Sequence, residues 1–454
     1  MIDLREAAAA ADGHLEGEGV AFGVTIDSRE VRPGDLFVAL PGERVDGHSF
    51  VGRAFAAGAA GVLVRRDAPV DVPPGRAAIR VDDPLAALAR IAAWWRGRFV
   101  LPLVAVTGSN GKTTVKEMVA SILRAAAGSP AAVLATEGNL NNQIGLPLTL
   151  LRLRPGHRYA VCELGTSSPG EIAALTRLAR PGVAAVNNAA AAHLEGLGSV
   201  ENVARAKGEI FAGLAPDGVA VINADDAFAP YWRSLVAGRR VIEFGLDAPA
   251  QVGASLREAG GRTVVELSVL GERVDTELQV AGRHNVANAL CAAACAAGAG
   301  LAAGPIAAGL HAFAGVEGRL RRRAARRGAT VIDDTYNANP ASTRAAIDVL
   351  CALPGRRILA LADMRELGPE APRLHREIGA YARERGVGAL YATGEATAEA
   401  VAGFGAGARH FATAEALAEA LEPESVPGTV VLVKGSRSMR MERVVAALTG
   451  GGAG

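Results

Sequence analysis

The apolar run Leu103 to Val106 leads directly into Thr107-Gly108-Ser109-Asn110-Gly111-Lys112-Thr113-Thr114, and helical spacing follows from Thr113 to Ala126. This strand–turn–helix join constrains the chain more than any other feature. It demands a buried strand in a sheet whose faces are covered by helices. Backbone N–H groups in such a turn can wrap phosphate oxygens, and the helix N-terminus adds a positive dipole end. Gly108 and Gly111 permit the tight curvature. Lys112 can reach β- and γ-phosphates, and the Thr113 hydroxyl can ligate Mg²⁺. The usual spacing places a glycine five residues before Gly111, but that position is Val106, and Gly108 stands three before it. The loop is therefore a shorter variant, identified by its context. Gly108, Ser109, Asn110, Gly111, Lys112, Thr113 and Thr114 are the expected ATP-binding residues. Taken alone, they fit a kinase, a nucleotide switch and a ligase equally.

With 454 residues the chain has room for about three domains. The expected division is a small α/β unit over 1–98, a central phosphate-loop unit with a mostly parallel sheet over 99–313, and a Rossmann-like doubly wound unit over 314–454. In the first unit, strands at Asp35 to Leu40 and Gly61 to Val64 precede a closing helix from about Pro84 to Arg98. In the second, apolar runs at Tyr159 to Leu164, Val183 to Asn187 and Val219 to Asn223 alternate with helical stretches, which implies right-handed crossovers. Gln251 to Val280 reads as a few antiparallel strands, and Arg283 to Ala297 as a helix. In the third, strands fall at Ala329 to Asp333, Ile358 to Ala362, Ala389 to Ala392 and Val430 to Val433. Most of the basic run Arg319 to Arg327 reads as a solvated face.

Composition narrows the function classes. The 48 basic and 47 acidic residues leave a net charge of +1, which argues against nucleic acid or an anionic membrane as a bulk partner. Aromatics are only 4%, so the cores should be built from Ala, Val and Leu. Cys162, Cys291, Cys295 and Cys351 form no CxxC pair, and small buried thiols are the expected state of Cys291 and Cys295. The start of the chain lacks a basic segment leading into an apolar one, and the most apolar region, about 287–316, is broken by glycines and Pro305. No signal peptide and no membrane insertion are expected, and the chain is expected to be a cytoplasmic monomer.

Three further residues carry chemistry. Glu163 ends a strand beside the loop strand, where a Mg²⁺ ligand sits in parallel sheets; a turn-capping acid is the plainer reading. His193 follows Asn187-Asn188 and four alanines, and a lone histidine is more often structural. Lys207, in Ala206-Lys207-Gly208-Glu209-Ile210-Phe211, reads on its own as a surface charge.

Together these motifs resemble the Mur ligase family over nearly the whole length. Asp27-Ser28-Arg29 through Leu40, with Gly42-Glu43-Arg44-Val45-Asp46-Gly47-His48, is similar to the family's uridine-nucleotide-binding domain. Glu137 to Pro147, with Asn141 and Asn142, is similar to its substrate-side loop. The stretches Ala206 to Phe211, Asp333 to Pro340, Ala362 to Gly368 and Val433 to Arg437 resemble those members that add D-alanyl-D-alanine. The resemblance implies peptidoglycan precursor synthesis from UDP-N-acetylmuramoyl-tripeptide, D-alanyl-D-alanine and ATP. The tripeptide carboxylate would be phosphorylated, and the dipeptide amine would displace phosphate. It implies two Mg²⁺ ions, with Thr113 and Glu163 near one and His193 near the other, and a CO₂-derived carbamate on Lys207 as an oxygen ligand. It assigns Asn285 to the adenine, Asp334 to the ribose and Arg319 to phosphate. Ser28 and Arg29 fall to the uridine diphosphate, and Asn337, Asn339 and Ser436 to the dipeptide. Closure of the domains over the acyl phosphate is expected. The alternatives are a third-residue-adding or folylpolyglutamate-type ligase of the same fold, a phosphate-loop nucleotide switch, or a small-molecule kinase.

Overall fold

The computed structural model describes residues 1–42, 45–259 and 262–450. Glu43 and Arg44 of the uridine-side motif, and 451–454 of the glycine-rich tail, lie outside the described residues.

Three sheets carry the three domains. The N-terminal sheet runs His14–Glu16, Ala77–Val81, Gly61–Arg65, Leu36–Val38, Val24–Thr25, parallel except at its first pair. The expected helix at Pro84 stops at Arg96 rather than Arg98. The buried Arg96 side chain donates to the carbonyls of Phe99 (2.7 Å) and Ala179 (3.0 Å), which turns the chain toward the central domain.

The central sheet has nine strands in the order Glu272–Glu277, Arg262–Val269, Val252–Ala259, Arg240–Phe244, Val219–Asn223, Val183–Val186, Leu103–Thr107, Tyr159–Glu163, Val133–Ala135. The seven strands from Val133–Ala135 to Val252–Ala259 pair in parallel, the last through Phe244 beside Val252, and the section read as antiparallel adds the two antiparallel pairs at the other edge. Strand alternation divides Leu103 and Ala105 from Val104 and Val106, one pair into each of two cores covering the sheet's faces. One of those cores takes Cys291 and Cys295 with the alanines of helix Arg283–Gly298.

The C-terminal sheet runs Arg321–Ala324, Thr330–Asp334, Thr429–Lys434, Arg356–Ala362, Ala389–Thr393, Ala408–Phe411, parallel except for its first pair. The C-terminal ends of its Thr330–Asp334 and Thr429–Lys434 strands face the phosphate loop, which is where parallel sheets present ligand sites. Among the described residues, no helix is long and apolar enough to cross a membrane.

Candidate active site

A cavity of about 1010 Å³ opens where the central and C-terminal sheets meet. The phosphate loop forms its floor, and neighbouring asparagines hold the loop in shape. Ser109 N–H donates to Asn188 O at 2.9 Å, and Asn110 N–H to Asn188 Oδ1 at 2.8 Å. Asn187 Nδ2 donates to Asn110 O and to Asn288 Oδ1, both at 2.9 Å. Gly111 sits at φ +75°, and a Cβ there would lie 2.2 Å from Asn288 Oδ1, so only glycine fits. Lys112 Nζ folds over the loop onto Gly108 O at 2.7 Å, and desolvation lowers its pKa. Thr113 lies in the first turn of helix Lys112–Ala127, and its Oγ1 accepts from Arg319 Nη2 at 2.9 Å. The Arg319 guanidinium lies 4.2 Å above the Tyr336 ring.

Glu163 closes its strand at 2% exposure. Its Oε1 accepts from Asn141 Nδ2 at 2.8 Å, and its Oε2 is buried with no hydrogen-bond partner. Lys207 is fully buried rather than a surface charge, and its Nζ also lacks a partner. Trp232 Nε1 holds its helix through Ala204 O at 2.9 Å, and the Glu209 carboxylate accepts from Gly170 N (2.7 Å) and Ala173 N (3.1 Å). Burial, and next the charge of Lys112, push the Lys207 pKa well below that of a free lysine, while Glu163 pulls the other way. Lowering the pKa in this way shifts the amine toward its uncharged form. Two orphaned buried atoms of opposite type, Glu163 Oε2 and Lys207 Nζ, fit a site that takes up a further polar group. His193 lines the cavity, with Nδ1 2.5 Å from Glu366 Oε2.

Most of the sequence-predicted residues converge here. Ser109, Asn110, Gly111, Lys112, Thr114, Asn141, Asn142, Glu163, His193, Asn285, Arg319, Asp334, Asn337 and Asn339 all line the cavity. Gly108, Thr113 and Lys207 are not part of its lining. Ser436 is turned away from it, its Oγ accepting from Arg365 N at 2.8 Å. Ser28 and Arg29 sit apart in the N-terminal domain, where Arg29 is exposed and paired with Asp27. Sequence reasoning gave no role to Lys434, Asn187, Asn188, Asn288, Tyr336 or Glu366. Lys434 is 2% exposed and donates to Asp334 Oδ2 at 2.5 Å and to Asn337 O at 2.9 Å. It stood inside one of the quoted motifs, which was the signal available.

Family models match in three consecutive blocks: Mur ligase family, catalytic domain, over 22–96; Mur ligase middle domain over 106–296; and Mur ligase, glutamate ligase domain, over 318–437. The UDP-N-acetylmuramoyl-tripeptide–D-alanyl-D-alanine ligase of Escherichia coli K12 is 42% identical over 442 residues, covering 96% of each chain. A crystal structure of MurF from Acinetobacter baumannii superposes with a TM-score of 0.89 at 33% identity, covering 98% of each chain. The MurF ligase of Thermotoga maritima in complex with ADP gives a TM-score of 0.81 at 28% identity, covering 94% of this chain and 96% of that one.

Proposed function

The chain belongs to the Mur ligase family, and from that premise we infer that it joins D-alanyl-D-alanine to UDP-N-acetylmuramoyl-tripeptide at the expense of ATP. The observation that carries this reading is likeness to D-alanyl-D-alanine-adding ligases along the whole chain rather than in the phosphate loop alone. A kinase or nucleotide switch leaves the C-terminal sheet and its contacts to the loop without a purpose.

The tripeptide's terminal carboxylate attacks the γ-phosphorus of ATP, and ADP leaves. The dipeptide amine then attacks the acyl carbon, and phosphate leaves with the bonding pair. Both steps bring anions together, so positioning and charge neutralisation dominate catalysis. Lys112 and the loop N–H groups face the phosphates, and Arg319 meets them from the C-terminal domain. Asn285 holds the adenine and Asp334, fixed by Lys434, the ribose. Asn141 and Asn142 hold the tripeptide side. Asn337 and Asn339 stand toward the dipeptide, and Ser436 supports them through Ala338 O at 3.4 Å. Ser28 and Arg29 serve the uridine diphosphate.

Two Mg²⁺ ions, one held near Thr113 and Glu163 and the other near His193, with a carbamylated Lys207 as a further oxygen ligand, would neutralise the transferring phosphoryl group. The partnerless Glu163 Oε2 and Lys207 Nζ support that assignment. A carbamate would turn the buried amine into an anionic oxygen donor for the metal. Two of the substrates are soluble nucleotides and the third is a soluble dipeptide, and we assign the enzyme to the cytoplasm.

The test is phosphate release from ATP with UDP-N-acetylmuramoyl-tripeptide, with and without D-alanyl-D-alanine. Release that requires both, with a product heavier by the dipeptide, is expected. Release indifferent to both returns the nucleotide-switch reading.

A further inference from the structure

The segment after His193 docks outside its own domain. Leu194 packs against the C-terminal core that contains Met364 and Leu367, and also against Val203 and Ala206 on the helix that carries Lys207. Glu195 N–H donates to Glu366 O at 3.3 Å. The His193 ring meets the Glu366 carboxylate, Nδ1 to Oε2, at 2.5 Å. Both residues adopt left-handed backbone, φ +55° for His193 and +63° for Glu366. Neither is glycine, so each is strained, and such strain persists only where surrounding contacts impose it. An ordinary part-exposed ion pair between two loops contributes little and requires no such backbone. Here two strained residues face each other across a domain boundary, with a leucine seated in the opposite core.

We propose that Glu366 is a positioning residue that grips His193 Nδ1 from the C-terminal domain, so that Nε2 is presented to the cavity as a divalent-cation ligand when the two domains are docked. The proposal rests on the reading of His193 given above. A carboxylate on one imidazole nitrogen fixes the tautomer and ring orientation and makes the other nitrogen a better donor to metal. Because that carboxylate comes from another domain, docking and cation binding strengthen each other by the same factor.

The experiment is titration of Mn²⁺ into the full chain with a non-hydrolysable ATP analogue, read by loss of the free-ion EPR signal, with scattering curves on the same samples. Glu366→Ala and Glu366→Gln should weaken Mn²⁺ binding by about tenfold or more, and Glu366→Asp should restore part of it. In the His193→Ala background, Glu366→Ala should add nothing, because both changes act through one ring. The Mn²⁺-induced compaction of wild type should shrink in Glu366→Ala. If Glu366→Ala binds Mn²⁺ like wild type while His193→Ala does not, the proposal is overturned and the His193 reading stands. An effect of Glu366→Ala that persists undiminished without His193 also overturns it. Unchanged binding in His193→Ala removes the reading beneath it.

Discussion

Asn339 Nδ2, in the C-terminal domain, donates to Oδ1 of Asn110 in the phosphate loop at 2.7 Å, while its own Oδ1 caps helix Pro340–Cys351 through Ser342 N at 2.9 Å. One amide thus ends a helix and joins two domains, and the two roles are separable. Asn339→Asp keeps a good N-cap but loses the donor and turns a negative charge toward the loop. Its melting temperature should match wild type within a few degrees. Its kcat/KM for ATP should fall about tenfold or more, the effect of one lost hydrogen bond plus repulsion. Unchanged ATP kinetics would show that the interdomain contact does nothing for nucleotide use.

Lys207 predicts opposite signs for stability and activity. A buried amine without a partner destabilises the fold, and an apolar side chain of similar length removes that penalty. Lys207→Met should raise the unfolding free energy by about 1–3 kcal/mol in CO₂-free buffer, measured by urea denaturation. Ligation should be abolished. Lys207→Ala should recover some activity with added short carboxylates, which replace the carbamate oxygens. A destabilised Lys207→Met, or full activity in either variant, would contradict the assignment.

The contrast between Lys112 and Lys207 shows what the sequence could reveal. Lys112 was legible because strand, turn and helix are contiguous, so local pattern alone places its ammonium over the loop. The regular strands were legible for the same reason: unbroken apolar runs such as Val219 to Asn223 suit strands covered on both faces. Lys207 sits among Arg205 and Glu209 and looks like part of a charged helix face. Its burial is imposed by Trp232 from a separate helix and by Glu209 capping the helix at Gly170. Glu366 meets His193 at a separation of 173 residues, and Lys434 meets Asp334 at 100. No periodicity encodes such pairs, so only the family resemblance pointed toward their stretches.

Lys434 and Asp334 form a buried pair whose partners should not be separable. Lys434→Met leaves the Asp334 carboxylate buried beside an apolar group and should cost about 3–5 kcal/mol. Asp334→Asn combined with Lys434→Met removes both charges and should be less damaging than the sum of the single changes. A double-mutant cycle on thermal or urea unfolding measures the coupling, which should exceed about 1 kcal/mol. Additive losses would mean that the two groups do not depend on each other.

His375 gives the loop that carries Glu366 a defined response to acid. The ring is fully buried. Nδ1–H donates to Ala371 O at 2.7 Å, and Nε2 accepts from Met364 N–H at 2.9 Å, so both nitrogens are committed in the neutral form. Protonation breaks the Met364 bond. Burial, and the cation of Arg365, hold the pKa below the ordinary 6.5, against the pull of the Ala371 carbonyl and Asp363. The unfolded chain therefore takes up the proton first as pH falls. The stabilisation from His375 is complete above the unfolded value and is lost as pH drops through the folded one. His375→Gln does not titrate. At about pH 7.5 it should be less stable than wild type by about 1–2 kcal/mol, from the lost hydrogen bonds. That gap should narrow steadily toward about pH 5, because only wild type pays for the proton. His157 and His284 are also held low by burial, so part of the wild-type acid slope will remain in the variant. Urea unfolding of both proteins across this range measures the gap. A gap that stays constant with pH would show that the imidazole is not held neutral by its place in the fold.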